Sequence, residues 1–309
     1  MRLKIDRSIA SCCCLTILLC LPLVQATAGT RRTRMLVSTK WLAGQLKNPE
    51  VIVLQVGASR ESFDEGHIPG ARFVPFSEIV MPRDGVLNEL PPVEKLAGLF
   101  TRLGVGDRAR MVIYGDLNGL AATRTFFTLD YLGHAERAAI LDGGLEKWKA
   151  EGHPLEKMAQ TYQPSGFTPR LNPSLVVKLE TMRDLSWVAA NVDDSNILII
   201  DSRSPDVYAG SAEKKTGHIP GAVNWFWMDH LSGTNYRTLK PITELRKIYD
   251  SLGVRPERRI VTYCNSGMQS SHTYFTLRYL GIDALVYDAS MPEWSKAPGT
   301  LIISGPARK

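Results

Sequence analysis

Cys264 closes the run Arg259-Ile-Val-Thr-Tyr-Cys264 and opens Asn265-Ser-Gly-Met-Gln-Ser-Ser-His272, which leads into the apolar-periodic stretch Thr273-Tyr-Phe-Thr-Leu-Arg-Tyr-Leu280. The pattern reads as a buried strand, a small-residue turn and a helix. A cysteine on such an elbow faces the backbone N–H groups of the turn and the positive end of a helix dipole, and both favour thiolate over thiol. The thiolate is the form that attacks an electrophile and carries a transferred group, so Cys264 is the candidate nucleophile. The N–H groups of Asn265, Ser266, Gly267, Met268 and Gln269 are expected to cradle the negative charge, with the helix N-terminus beginning near Ser270. Gly267 suits a tight ring because it adopts backbone dihedrals that other residues resist.

The other four of the five cysteines, Cys12, Cys13, Cys14 and Cys20, lie in an apolar N-terminal stretch. Arg2, Lys4 and Arg7 form a basic start, Ile9 to Val24 an apolar core, and Ala26-Thr-Ala28 a small-residue cleavage site before Gly29. That is the pattern of a removable secretory signal peptide over residues 1–28. Its core is shorter than the ~18 residues of a spanning helix, so no stable membrane insertion is expected after cleavage. Bulky Leu19 just before Cys20 argues against a lipid anchor there. A secreted, periplasmic protein is therefore expected. Oxidising compartments favour paired cysteines, so a single thiol kept in one is either reactive or accidental.

The net charge of +6 is spread over the 309 residues without a run of like charges, which leaves no nucleic-acid footprint. No Cys/His cluster has metal-ligand spacing, and there is no glycine-rich phosphate or dinucleotide fingerprint, so neither a metal nor a cofactor is expected.

The elements that must position Cys264 occur twice. Gly66-His-Ile-Pro-Gly-Ala71 recurs as Gly217-His-Ile-Pro-Gly-Ala222, Arg110-Met-Val-Ile-Tyr114 as Arg259-Ile-Val-Thr-Tyr263, and Phe126-Phe-Thr-Leu-Asp-Tyr-Leu-Gly133 as Tyr274-Phe-Thr-Leu-Arg-Tyr-Leu-Gly281. Leu141-Asp-Gly-Gly-Leu-Glu-Lys-Trp148 echoes Tyr287-Asp-Ala-Ser-Met-Pro-Glu-Trp294. The pairs keep one order about 150 residues apart, which marks a duplicated domain. In each copy short β-branched runs, Val51–Leu54 and Met111–Ile113, then Ile197–Ile200 and Ile260-Val261, alternate with helical patterns. An α/β fold follows, each copy a mainly parallel central sheet with helices on both faces and ligands bound beyond the carboxyl ends of the strands. The expected domains are 36–155 and 176–303, joined by a linker over 156–175 whose Gln160–Ser174 part is rich in Pro, Ser, Thr and Gly.

Two copies with the GHIPGA hexapeptide, Asp201-Ser-Arg203 at a strand end, Cys264 on a strand and the closing Asp288-Ala-Ser-Met-Pro-Glu-Trp294 resemble the tandem-domain rhodaneses of the secreted bacterial type, the thiosulfate and 3-mercaptopyruvate sulfurtransferases. The resemblance runs from about Met35 to Ile303. It implies that only the second copy is catalytic and that sulfane sulfur passes from a small anionic donor through a Cys264 persulfide to cyanide, a thiol or a protein dithiol. The first copy has Gly115-Asp-Leu-Asn-Gly-Leu120 where the second has Cys264, and sliding the copies together puts Val56 and Ala58 opposite Asp201 and Arg203. The first copy is then a structural half that covers the cleft, and an internal duplication suits a monomer.

The loop departs from its best-known relatives, since Asn265-Ser266 brings no charge and Val207 stands where a further arginine is common. Arg203 is the candidate donor or loop contact, with a structural ion pair to Asp201 as its alternative, and Arg237 and Lys240 are further sources of charge. His67 and His218, kept in both copies, are expected to make fold-stabilising hydrogen bonds, and His272 to be a neutral helix residue. Two other functions use the same thiol. One is a sulfur carrier or persulfide sensor. The other is a phosphatase of the same fold group, which needs Cys-x5-Arg to fork a guanidinium onto phosphate, whereas position 270 is Ser.

Overall fold

The computed structural model describes residues 35–306, Ala159 and Asp194 excepted, so the expected signal peptide and its four cysteines lie outside the described residues. The first half runs β1 (Leu36–Val37), α1 (Thr39–Gln45), β2 (Val51–Gly57), α2 (Glu61–Glu65), β3 (Arg72–Pro75), α3 (Phe76–Ile79), β4 (Met81–Arg83), β5 (Val86–Glu89), α4 (Val93–Arg102), β6 (Arg110–Gly115), α5 (Leu120–Tyr131), β7 (Ala138–Leu141) and α6 (Gly144–Ala150). The second runs α7 (Leu179–Asn191), β8 (Ile197–Asp201), α8 (Pro205–Ala209), β9 (Ala222–Asn224), β10 (Leu231–Ser232), β11 (Thr238–Leu239), α9 (Ile242–Ser251), β12 (Arg259–Tyr263), α10 (Met268–Tyr279), β13 (Leu285–Val286) and α11 (Ser290–Lys296).

Each half builds a parallel sheet, in the order β1-β7-β6-β2-β3 in the first and β13-β12-β8-β9 in the second. The strands read as continuous apolar runs because helices bury both faces. Where β1 pairs with β7 in the first sheet, the second has only a parallel bridge between Val176 and Val286. Tyr114 and Tyr263 hold the repeated hexapeptides, their hydroxyls accepting the N–H groups of Ile68 and Ile219 at 3.2 and 3.1 Å. His67 and His218 do the same work through Nδ1, which lies 2.8 Å from Phe63 O and 3.0 Å from Tyr208 O, respectively.

Register corrects one detail of the internal alignment. Tyr263 pairs with Asp201, and Tyr114 pairs with Gln55, so Gln55 and Gly57 stand at the Asp201 and Arg203 positions rather than Val56 and Ala58. The loops after β2 and β8 differ in length, and sequence sliding alone misses the shift. The pair is absent from the first half either way.

The two halves share one core. α5 and α10 pack against each other, with Phe126 edge-on to Phe275 at 5.0 Å and Phe127 edge-on to Tyr274 at 5.2 Å, and the Tyr274 hydroxyl donates to Asp130 Oδ2 at 2.6 Å. A single apolar cluster runs from Leu54 and Met111 of the first sheet to Ile200 and Ile260 of the second. Each half also sends a hairpin to the other. Leu90, just past β5, donates its N–H to Asp288 at 3.2 Å, and Leu239 of β11 donates to Asp142 at 2.9 Å. The connecting segment is no free tether, for Phe167 is buried against Phe100 and His134, and Arg170 and Asn172 donate to the carbonyls of Leu132 and Tyr131.

Candidate active site

Cys264 follows β12 directly, its N–H held by Ser290 Oγ at 3.1 Å and its carbonyl accepting from Met291 N at 3.1 Å. Both partners come from the start of α11, so the closing Asp-Ala-Ser-Met stretch anchors the cysteine backbone. The Sγ atom is almost fully buried, receives the Ser266 N–H at 3.4 Å and lies 3.6 Å from Ser270 Oγ. These donors and the N-terminus of α10 face one sulfur atom, an arrangement that accommodates negative charge there.

The helix begins at Met268, earlier than the expected start near Ser270. Gly267 is its N-cap with φ +77°, a left-handed conformation that turns the chain into the helix at once. Ser270, Ser271 and His272 look like turn residues in sequence, yet they sit in a helix buried between its own sheet and α5. Being covered all round, α10 shows no amphipathic stripe to announce it. Within the loop Asn265 is exposed, Ser266 and Gln269 are half-buried, and Gly267 and Met268 are buried, so Gly267 and Met268 offer the loop backbone rather than side chains.

Arg203 is buried and turned toward the loop. Its Nε donates to both Asp201 carboxylate oxygens at 2.9 and 3.1 Å, Nη2 to Asp201 and to Gly217 O, and Nη1 to Asn265 Oδ1 at 3.4 Å. Burial alone would lower this guanidinium, but the hydrogen bonds and charge of Asp201 outweigh it and raise it. Arg203 thus combines the ion pair with a loop contact. Arg237 borders a cavity above the Gly115–Gly119 loop of the first half, and its Nη1 donates to Gly233 O at 2.7 Å, while Lys240 is half-buried with its N–H on His230 O.

The structure adds a residue from the other half. Arg124 of α5 is fully buried and forms a two-pronged ion pair with Asp288, Nη1 to Oδ1 and Nη2 to Oδ2 at 2.9 Å. Nη2 also donates to Asn88 O at 2.6 Å, and Nη1 lies 3.4 Å from Ser271 Oγ in the first turn of α10. The pair packs on Gly267, so the first half braces the thiol loop. The recurrence of Asp142 as Asp288 was the sequence signal for one partner. Arg124 has no such signal, because His272 takes its place in the second copy.

His230 and His272 stack with ring centroids 5.6 Å apart behind the loop. Burial pushes His272 down to about 3, and burial and then the neighbouring His272 put His230 well below the ordinary imidazole range. Both are neutral near pH 7. The unfolded chain binds their protons from about pH 6.5 downward and the folded chain does not, so stability is full above about pH 6.5 and falls toward about pH 3. The expected loss is on the order of 1 kcal/mol per pH unit for the pair, read from denaturant midpoints at neutral and mildly acidic pH. A midpoint that stays constant down to about pH 5 contradicts the assignment.

Among the described residues no three His, Cys, Asp or Glu side chains gather as metal ligands, and no helix is long and apolar enough to cross a membrane. The family model for the rhodanese-like domain matches residues 38–151 and 184–297. The chain is 32% identical over 290 residues to the sulfur carrier protein TtuD of Thermus thermophilus, which spans 90% of this chain and 99% of that protein. It is 34% identical over 262 residues to thiosulfate sulfurtransferase of Azotobacter vinelandii, spanning 84% of this chain and 93% of the other. Among solved structures, the 3-mercaptopyruvate sulfotransferase SseA of Escherichia coli superposes with a TM-score of 0.71 at 27% identity, over 84% of this chain and 99% of that one. EanB bound to ergothioneine shares the fold, with a TM-score of 0.77 at 22% identity over 90% of this chain and 72% of that one. A family match in both halves, over a fold built twice around one shared core, leads to a single assignment: the chain belongs to the rhodanese-like domain family and carries two such domains in tandem.

Proposed function

We propose that the chain, an enzyme of the sulfurtransferase class, moves sulfane sulfur from thiosulfate, or a related donor such as 3-mercaptopyruvate, to a thiophilic acceptor through a persulfide on Cys264. The observation that carries this reading is a buried sulfur ringed by the Ser266 N–H and the Ser270 hydroxyl at the mouth of α10. The Cys264 thiolate attacks the outer sulfur of thiosulfate, the S–S bond breaks, and sulfite leaves with its electron pair. The persulfide keeps one negative charge, held by the same donors and by the loop backbone. An acceptor nucleophile, cyanide, a thiol or a protein dithiol, then takes the terminal sulfur and returns the thiolate. Arg203 supports the loop from behind, and Arg124 with Asp288 fixes it from the first half.

The likeness to a sulfur carrier protein favours a second reading, in which the persulfide forms and passes only to a protein partner. Steady-state turnover of thiosulfate with cyanide separates the two. Multiple turnovers per chain support the transferase, and a single sulfur loaded without turnover supports the carrier. Hydrolysis of an aryl phosphate is not expected, since Ser270 cannot fork onto phosphate as an arginine does.

The loop brings no cation of its own, and Val207 is exposed on α8. Thiosulfate is therefore expected to show a high KM with an appreciable kcat. Ser266→Lys and Val207→Arg each add one charge-assisted contact and should lower KM by about tenfold or more. Unchanged KM values in both variants would place the donor elsewhere.

We place the enzyme outside the cytoplasm as a monomer, on the basic start and apolar run of residues 1–28 and the internally supplied second half. N-terminal mapping of protein from the extracytoplasmic fraction should then begin near Gly29, and recovery of Met1 to Ala28 there contradicts it.

A further inference from the structure

Backbone strain is buried at one place in the fold, and it lies against the cysteine. Among the described residues five that are not glycine have positive φ: Asp84, Leu117, Asn118, Lys215 and Ser290. The first four are exposed. Ser290 opens α11, is fully buried and has φ +56°. That left-handed conformation crowds Cβ against the following carbonyl oxygen, and it persists only where the surroundings hold it.

The internal repeat shows which residue suits the position when strain is avoided. Leu141-Asp-Gly-Gly-Leu145 matches Tyr287-Asp-Ala-Ser-Met291, so Ser290 corresponds to Gly144, which opens α6 with φ +57°. A Cβ on Gly144 would meet nothing closer than Glu146 Oε2 at 3.3 Å, the far end of a flexible side chain. Glycine therefore stands there for its dihedral angle, not for lack of room. The preceding residues differ, Gly143 at φ +82° and Ala289 at −65°, so the agreement belongs to this position alone. The thiol-bearing half has a serine where the other half has the unstrained residue.

What the serine adds is its hydroxyl. Oγ accepts the Cys264 N–H at 3.1 Å and donates to Tyr287 O at 2.9 Å, while Met291 N donates to the Cys264 carbonyl at 3.1 Å. Both backbone polar groups of Cys264 are thus tied to the start of α11. With the backbone held, Sγ stays within 3.4 Å of the Ser266 N and 3.6 Å of Ser270 Oγ. A tilt of the cysteine backbone would carry the sulfur away from both.

We propose that Ser290 is a positioning residue for sulfur transfer, its strained backbone delivering the hydroxyl that clamps the Cys264 N–H and so holds the sulfur against its donors. The proposal rests on Cys264 as the reacting sulfur. Ser290 acts through that residue and touches no substrate, so it governs rates rather than donor binding. Misplacing a reacting atom by about 1 Å can cost on the order of a hundredfold in rate.

Ser290→Gly and Ser290→Ala separate the clamp from the strain. Both remove the hydroxyl, but glycine takes the left-handed turn freely, as Gly144 does, whereas alanine keeps the strain. The readouts are Tm, the rate of Cys264 alkylation by iodoacetamide at neutral pH, and steady-state kinetics with thiosulfate and cyanide. Ser290→Gly should melt above Ser290→Ala. Both should nevertheless alkylate about tenfold or more slowly than the parent and lose kcat to a similar degree, with the KM for thiosulfate little changed. A serine with only a structural role predicts instead that rate follows Tm. Parent-like alkylation and kcat in the glycine variant, a loss of rate confined to the alanine variant, or a glycine variant that melts below the alanine one overturns the proposal. Alkylation reports on the sulfur without any transfer, so a parent that forms no persulfide with thiosulfate refutes the sulfurtransferase mechanism and leaves the clamp still tested.

Discussion

Cys264→Ser is expected to reduce sulfur transfer to background while the circular-dichroism spectrum and denaturant midpoint stay those of the parent. The hydroxyl is nearly the size of the thiol and finds the same neighbours, the Ser266 N–H and Ser270 Oγ, so the loop has no reason to rearrange. A serine is too weak an acid to ionise there, however, and it forms no persulfide. Cys264 is also the free cysteine among the described residues, so no neighbouring thiol takes over. Turnover retained in a correctly folded variant would move the chemistry away from this elbow.

Arg124→Ala should cost about 3–5 kcal/mol of stability, because it leaves the Asp288 carboxylate buried without its partner. The same change also orphans Asn88 O, which accepts from Arg124 Nη2 at 2.6 Å, and removes the brace on Gly267. Loss of activity is therefore expected to accompany the loss of stability even at temperatures where the variant is folded, and to appear in kcat rather than in KM. Denaturant midpoints and steady-state kinetics read the two effects separately. A shift worth less than about 1 kcal/mol, the range of an exposed pair, contradicts the role given to this ion pair.

Much of the fold was legible because the chain states it twice. The repeated hexapeptides and apolar runs mark the strands, and the parallel sheets follow from their buried, non-alternating character. Cys264 was legible because an elbow of strand, turn and helix is written in local sequence. The helix start was not, since Ser270 and Ser271 are small polar residues packed inside a helix–helix contact, where periodicity carries no signal. The one-residue shift that puts Gln55 opposite Tyr114 depends on loop length between strands, which only pairing reveals. Arg124 escaped notice for a different reason. It reaches the site from the opposite half, and no repeat of its own type points to it. His230, stacked on His272 behind the loop, likewise has no motif around it.

The most direct measurement is the intact mass of the purified protein after incubation with thiosulfate and again after addition of cyanide. The proposed mechanism predicts a gain of one sulfur atom with thiosulfate, its loss on adding cyanide, and no gain at all in Cys264→Ser. An unchanged mass with thiosulfate and with 3-mercaptopyruvate, or a sulfur adduct that persists in the serine variant, contradicts it.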